Sequence, residues 1–199
     1  PIKINEKNYI EEKNFYSPNA TVVEYEDCYQ VKTQVNTNGI CWEIEGDFKV
    51  GDKINAQAKV EFISTEDEAA VDSVTLRIWN ATKGLWIHAG LNGIYGDNKE
   101  FATITMNEPK ILKFSEVELT SDNFTEGDII RFFVSRGRDA NYHQNYIIFN
   151  VYKGTVAFKK STDSQSGLSL SSETYNIFLE SPLDEGDYID YKLGKVIRS

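Results

Sequence analysis

Between Ile54 and Phe62 the chain alternates without a fault. Ile54, Ala56, Ala58, Val60 and Phe62 are apolar, whereas Asn55, Gln57, Lys59 and Glu61 are polar. A period of two puts one set on each face of a strand, so this segment predicts a β-strand with one buried face. Runs of β-branched and aromatic residues at Thr21–Tyr25, Tyr29–Val35, Ile40–Ile44, Ser73–Trp79, Leu85–Ala89, Phe101–Met106, Ile111–Phe114, Asp128–Ser135 and Tyr146–Phe158 are bounded by Gly, Asn, Asp or Pro and predict further strands. No segment carries a sustained 3.6-residue apolar stripe. Roughly ten strands with turns between them predict an all-β fold, an antiparallel two-sheet β-sandwich, and the chain length favours a jelly roll over a minimal immunoglobulin-like sandwich.

The same pattern divides the chain. Residues 1–14, rich in Asn, Glu and Lys, read as a lead-in segment or an edge strand, and the sandwich is expected over residues 15–160. Residues 161–167 (STDSQSG) are small and polar and read as a linker. The tail segment, residues 168–199, is too apolar for a disordered tail and too short for a core of its own, so it is expected to dock on another surface.

Charge narrows the partners. With 21 Lys+Arg against 31 Asp+Glu the chain carries −10. It has no run of basic residues to neutralise phosphates, so nucleic acid and anionic membranes are not expected partners. No stretch approaches the ~20 apolar residues that span a bilayer. The only cysteines, Cys28 and Cys41, flank an expected hairpin turn at Asn36–Gly39, where Cys41 would face Gln34. That register argues against a disulfide and for two buried thiols.

Candidate chemistry centres on the hairpin Ser73–Ala89. With Ala81–Gly84 as a four-residue loop, Trp79 faces Trp86 and Arg77 faces His88 on one side, while Ile78 faces Ile87 on the other. Two indoles beside a guanidinium and an imidazole suit a saccharide, whose C–H face stacks on aromatic rings while its hydroxyls take hydrogen bonds. The competing reading is a cross-strand aromatic contact covered by the tail or the lead-in. The loop Ser135–Asn145 is a second candidate, through Arg136, Arg138, Asp139, Asn141, Tyr142 and His143, against the simpler reading of a solvated loop with an Arg–Asp ion pair. No nucleophile elbow, P-loop, zinc motif or dinucleotide fingerprint is present, so no catalytic residue is assigned and the protein is not expected to be an enzyme. No cofactor is expected, although the acidic loop Tyr95–Glu100 offers oxygens that suit a structural calcium ion. Asn80-Ala81-Thr82 matches the N-glycosylation pattern.

Two resemblances attach to these residues. The run Asp47–Ile54 leading into the alternating strand, with the closing strand Tyr146–Phe158, resembles the galactose-binding-like jelly rolls of carbohydrate-binding modules. The run Phe178–Arg198, 21 of the 199 residues, resembles a segment of minor structural and tail-fibre (baseplate) proteins of phages and prophages of Gram-positive bacteria. Its elements are Phe178-Leu179, Pro182-Leu183, the Gly186 turn, Asp187–Asp190 as one strand of a β-hairpin, and Gly194-Lys195-Val196-Ile197-Arg198; the spacer after Leu183 is shorter than usual. The resemblance implies a part of a longer virion protein, located in the tail and extracellular when assembled. Its implied partners are host cell-surface polysaccharide and other tail or baseplate proteins, with self-association into a homo-oligomer. A carbohydrate-binding module of a secreted bacterial polysaccharide hydrolase, and an architectural virion protein without ligand, are the alternatives; the last expects a buried Trp pair.

Overall fold

In the computed structural model, residues 2–4, 7–34, 38–65, 73–89, 102–103, 107–137, 146–161, 177–179, 188–190 and 195–197 are described. They form β1 (Ile2–Ile4), β2 (Phe15–Tyr16), β3 (Thr21–Glu24), β4 (Cys28–Thr33), β5 (Gly39–Ile44), β6 (Lys53–Thr65), β7 (Ser73–Asn80), β8 (Leu85–His88), β9 (Ala102–Thr103), β10 (Lys110–Glu118), β11 (Ile130–Arg136), β12 (Ile147–Tyr152), β13 (Ala157–Lys160), β14 (Ile177–Leu179), β15 (Tyr188–Asp190) and β16 (Lys195–Ile197). A short 3-10 turn, Glu12–Asn14, precedes β2.

Two antiparallel sheets make the sandwich. The first has the order β10-β6-β12-β4-β3, with β13 continuing along the edge of β6 that β12 occupies. The second has the order β2-β5-β11-β7-β8, with β9 on the same edge of β7 as β8. The alternation over 54–62 does what it predicts: Ile54, Ala56, Ala58, Val60 and Phe62 are all buried. Against them the second sheet sets Ile40, Trp42, Leu76, Ile78, Phe132 and Val134. Aromatic contacts bridge the two layers, Phe132 to Phe158 at 5.7 Å and Tyr29 to Trp42 at 6.4 Å between ring centroids.

The expected hairpin across Asn36–Gly39 is not one. β4 pairs with β3 and β12 in the first sheet, and β5 pairs with β2 and β11 in the second, so the connection crosses between layers. Cys41 therefore does not face Gln34. Turn residues allow a chain reversal but do not decide whether the next strand joins the same sheet. Cys28 and Cys41 lie on the outer sides of opposite sheets, both buried and both free thiols. The sandwich thickness separates them beyond disulfide reach.

The lead-in is built into the sandwich. Tyr9 and Ile10 are buried, Tyr9 N donates to Phe158 O at 3.0 Å, and Asn8 bonds Val156 O and Phe158 N. Glu12 fastens three parts together. Its carboxylate accepts from Gly154 N and Val156 N, while its carbonyl accepts from Tyr29 Oη and Trp42 Nε1. At the other end of the chain, β14 pairs antiparallel with β1, and β15 pairs with β16 as a hairpin.

Candidate functional site

The hairpin β7–β8 turns through residues 81–84, where Gly84 takes a φ of +66° that suits glycine. Asn80 closes it: Oδ1 accepts from Lys83 N, and Nδ2 donates to Asn123 O at 2.9 Å and to Asp128 Oδ2 at 2.7 Å. Thr82 Oγ1 accepts from Ile129 N. The glycosylation-like triplet is thus a structural clamp, and its Asn80 is fully buried.

The loop length sets the register, and Trp79 pairs with Trp86 as expected. The two rings meet edge to face at 4.6 Å on the outer side of the second sheet, and both residues are partly exposed. Phe133 of β11 lies beneath, 5.8 Å from Trp86, and the Arg77 guanidinium is 5.5 Å from the Trp86 ring. Across the strands, Trp79 pairs with Arg131 and Arg131 with Glu43, an ion pair at 3.6 Å whose side chains are 35% and 47% exposed. The open part of this face is therefore a band running Trp86, Trp79, Arg131, Glu43. Arg131 also lies 5.5 Å from the Tyr16 ring.

Farther along the strands the same face closes. Cys41, Arg77, Thr75 and Ser135 are all fully buried, and Phe133 nearly so. Gly39, opposite Ser135, leaves no room for a side chain, since a Cβ there would lie 2.1 Å from Val134 O. Burial pushes the Cys41 thiol up to about 12, with the neighbouring Tyr16 hydroxyl acting in the opposite sense. Tyr16 is itself raised, by burial first and by the neighbouring Cys41 thiol second.

Two expected members of the platform are elsewhere. His88 pairs with Ile78 instead of Arg77, because β8 carries a bulge at Ile87. One extra residue sends the next side chain to the opposite face. The imidazole packs on the core residue Phe114 at 4.5 Å. Arg77 does lie on the Trp side, but under Trp86 and out of reach of solvent. Arg136 ends β11 on the core side, fully buried, with Nη1 donating to Gln34 O at 2.7 Å, so it is a structural cation and not a loop ligand. Arg138, Asp139, Asn141, Tyr142 and His143 lie outside the described residues, as does Tyr95–Glu100. No group of three or more metal-ligating side chains occurs among the described residues. Arg131, Glu43 and Tyr16 were missed by the sequence reading. Only the sheet order brings them beside the tryptophans.

No family model and no curated protein matches the chain. Among solved structures it is similar to the C-terminal family 22 carbohydrate-binding module of Clostridium thermocellum Xyn10B, at 16% identity over 74% of this chain and 88% of that one, with a TM-score of 0.46. It is similar to the CBM22-1 xylan-binding domain of Paenibacillus barcinonensis Xyn10C, at 8% identity, 80% and 92% coverage and a TM-score of 0.46. A third is the xylan-binding module CBM15, at 11% identity, 79% and 100% coverage and a TM-score of 0.47. These are likenesses of outline and do not say which side chains of this chain meet a ligand.

Proposed function

We propose that the protein is a non-catalytic carbohydrate-binding domain whose ligand lies across the second sheet on the band Trp86, Trp79, Arg131, Glu43. The single observation behind this reading is that both indoles occupy one outer face and stay partly exposed. An architectural protein without ligand would have sunk them. A pyranose can lay its C–H face on an indole, while the Arg131 fork donates to its hydroxyls and the Glu43 carboxylate accepts from them. Arg77 beneath Trp86 supports the ring and leaves ligand contact to the residues above it.

As a place for this domain, we favour a phage or prophage tail that contacts host surface polysaccharide. That choice is supported by the Phe178–Arg198 resemblance and by the pairing of Tyr188–Asp190 with Lys195–Ile197, the hairpin that the resemblance implies. A module of a secreted polysaccharide hydrolase would use the same band. A glycan array, followed by calorimetry on the polysaccharide retained, tests the binding. Trp86→Ala is expected to weaken binding by about 30-fold or more, as for a central aromatic hot spot worth ~2 kcal/mol. Absence of any retained glycan, or equal binding by the variant, overturns the reading.

A further inference from the structure

The pairing register makes the tryptophan band one continuous row. Trp86 pairs with Trp79, Trp79 with Arg131 and Arg131 with Glu43, so the row runs across the strands. It does not stop at β5. Phe15 of β2 pairs with Trp42, which sets the preceding residue, Asn14, beside Glu43. At that end lies a hollow of about 270 Å³, with Lys7, Tyr9, Glu11 and Asn14 of the lead-in on one side and Glu43 and Glu45 on the other. From Trp86 to Asn14 the row covers four strand intervals, or about 19 Å. That is the length of several linked sugar units and exceeds one.

The hollow has its own chemistry. The Asn14 amide donates to the Glu11 carboxylate at 2.8 Å. Arg131 and Glu43 stand 3.6 Å apart, an ion pair too long for a hydrogen bond, so a sugar hydroxyl set against both can donate to the carboxylate and accept from the guanidinium. Glu45 is exposed and has no hydrogen bond or ion pair among the described residues. Lys7, 4.5 Å from the centre of the Tyr9 ring, is the one cation among the described lining residues, against three carboxylates. The hollow therefore offers acceptors to hydroxyl donors and repels an anion.

We propose that the ligand is an uncharged polysaccharide, bound as a chain of several units along this row with one unit in the hollow; this rests on the carbohydrate reading of the tryptophan band. The indoles stack on the units at one end, Arg131 and Glu43 bond hydroxyls midway, and Asn14, Glu11 and Glu45 take the hydroxyls of the unit in the hollow. The hollow lies a little below the ~300–1,000 Å³ of pockets that enclose a drug-sized ligand, which suits one unit and not two. Chains bearing uronate or phosphate groups are turned away by its carboxylates. Stacking thus falls to the hairpin and selection by charge to the lead-in.

The test titrates the whole chain with gluco-, xylo-, manno- and galacto-oligosaccharides of two to six units, read by indole fluorescence and calorimetry. In a series that binds, affinity is expected to rise with each unit until the chain reaches the hollow and then to level off. Glu45→Arg, which fills the hollow, is expected to weaken the longest chain at least tenfold, leave the disaccharide within twofold and keep the wild-type melting temperature. Hexose chains oxidised at C6 to uronates are expected to bind at least tenfold more weakly than their neutral parents, with a threefold or greater recovery in Glu45→Gln. Added salt should narrow that gap, since it screens exposed charge. Equal affinity from two units to six, or a long chain bound equally by Glu45→Arg, overturns the inference and leaves the tryptophan band standing. Uronate chains bound as tightly as neutral ones overturn the selection by charge. No indole response to any series overturns the band itself, and this inference with it.

Discussion

The outer faces of the two sheets are built on the same antiparallel backbone and treat solvent in opposite ways. On the first sheet, β12 alternates buried and half-buried along its length, and β6 and β10 present Gln57, Lys113 and a 62% exposed Ile111 to water. On the second sheet, β7 and β11 are buried almost continuously, outer positions included. A strand buried on both faces needs apolar or internally satisfied side chains throughout. The second sheet instead encloses the polar side chains of Thr75, Arg77 and Ser135 on its outer side, and opens only at the tryptophan band. Polar residues therefore mark the wet face of the first sheet but the enclosed face of the second.

The largest expected effect contrasts one residue from each face. Phe133→Ala removes the ring under Trp86 and is expected to cost about 3–5 kcal/mol, as for a buried Phe truncation. Ile111→Ala on the first sheet is expected to stay within about 0.5 kcal/mol. Urea denaturation of the two variants measures the difference, and equal losses would remove the contrast. Next is Asn80→Ala, which leaves Lys83 N, Asn123 O and Asp128 without their partner at the root of the tryptophan hairpin. About 2–3 kcal/mol is expected, with greater acrylamide quenching of the indoles as the hairpin loosens.

A smaller effect sharpens the comparison through pH. The Cys41 thiol stays protonated in the folded chain up to about 12, whereas in the unfolded chain it ionises near ~8.5. Its contribution is complete below the lower value and is lost as pH rises towards the upper one, at up to about 1.4 kcal/mol per pH unit. Stability measured from pH 8 to 11 should fall, and Cys41→Ala should flatten that fall. Tyr152, on the first sheet, is raised to about 12 by its hydrogen bond to Glu61 before any burial, and it acts in the same sense only above pH 10. Tyr152→Phe should leave the slope between pH 8 and 10 unchanged.

Local pattern was enough for some of this. The strand at 54–62 follows from its period, and the Trp79–Trp86 pairing follows from a four-residue loop whose geometry depends on neighbours in sequence. What failed depends on residues distant in the chain. The bulge at Ile87 is accompanied by the packing of His88 on Phe114, a contact between sheets. The partner sheets of β4 and β5 are likewise a matter of which apolar faces meet. Arg131 and Glu43 join the tryptophans only through the order β5-β11-β7-β8, and the enclosure of Arg77 is a property of the assembled face.

The amide of Asn80, clamped between Asn123 and Asp128, has a consequence for making the protein. In a eukaryotic secretory host the triplet Asn80-Ala81-Thr82 meets the oligosaccharide-transferring machinery while the chain is still emerging. A glycan on that nitrogen is too bulky for the buried position it must later fill. Yeast or insect secretion should thus release only unmodified molecules and retain the rest, and Thr82→Val, which abolishes the acceptor pattern at the expense of the bond from Ile129 N, should raise the secreted yield there but not in bacteria.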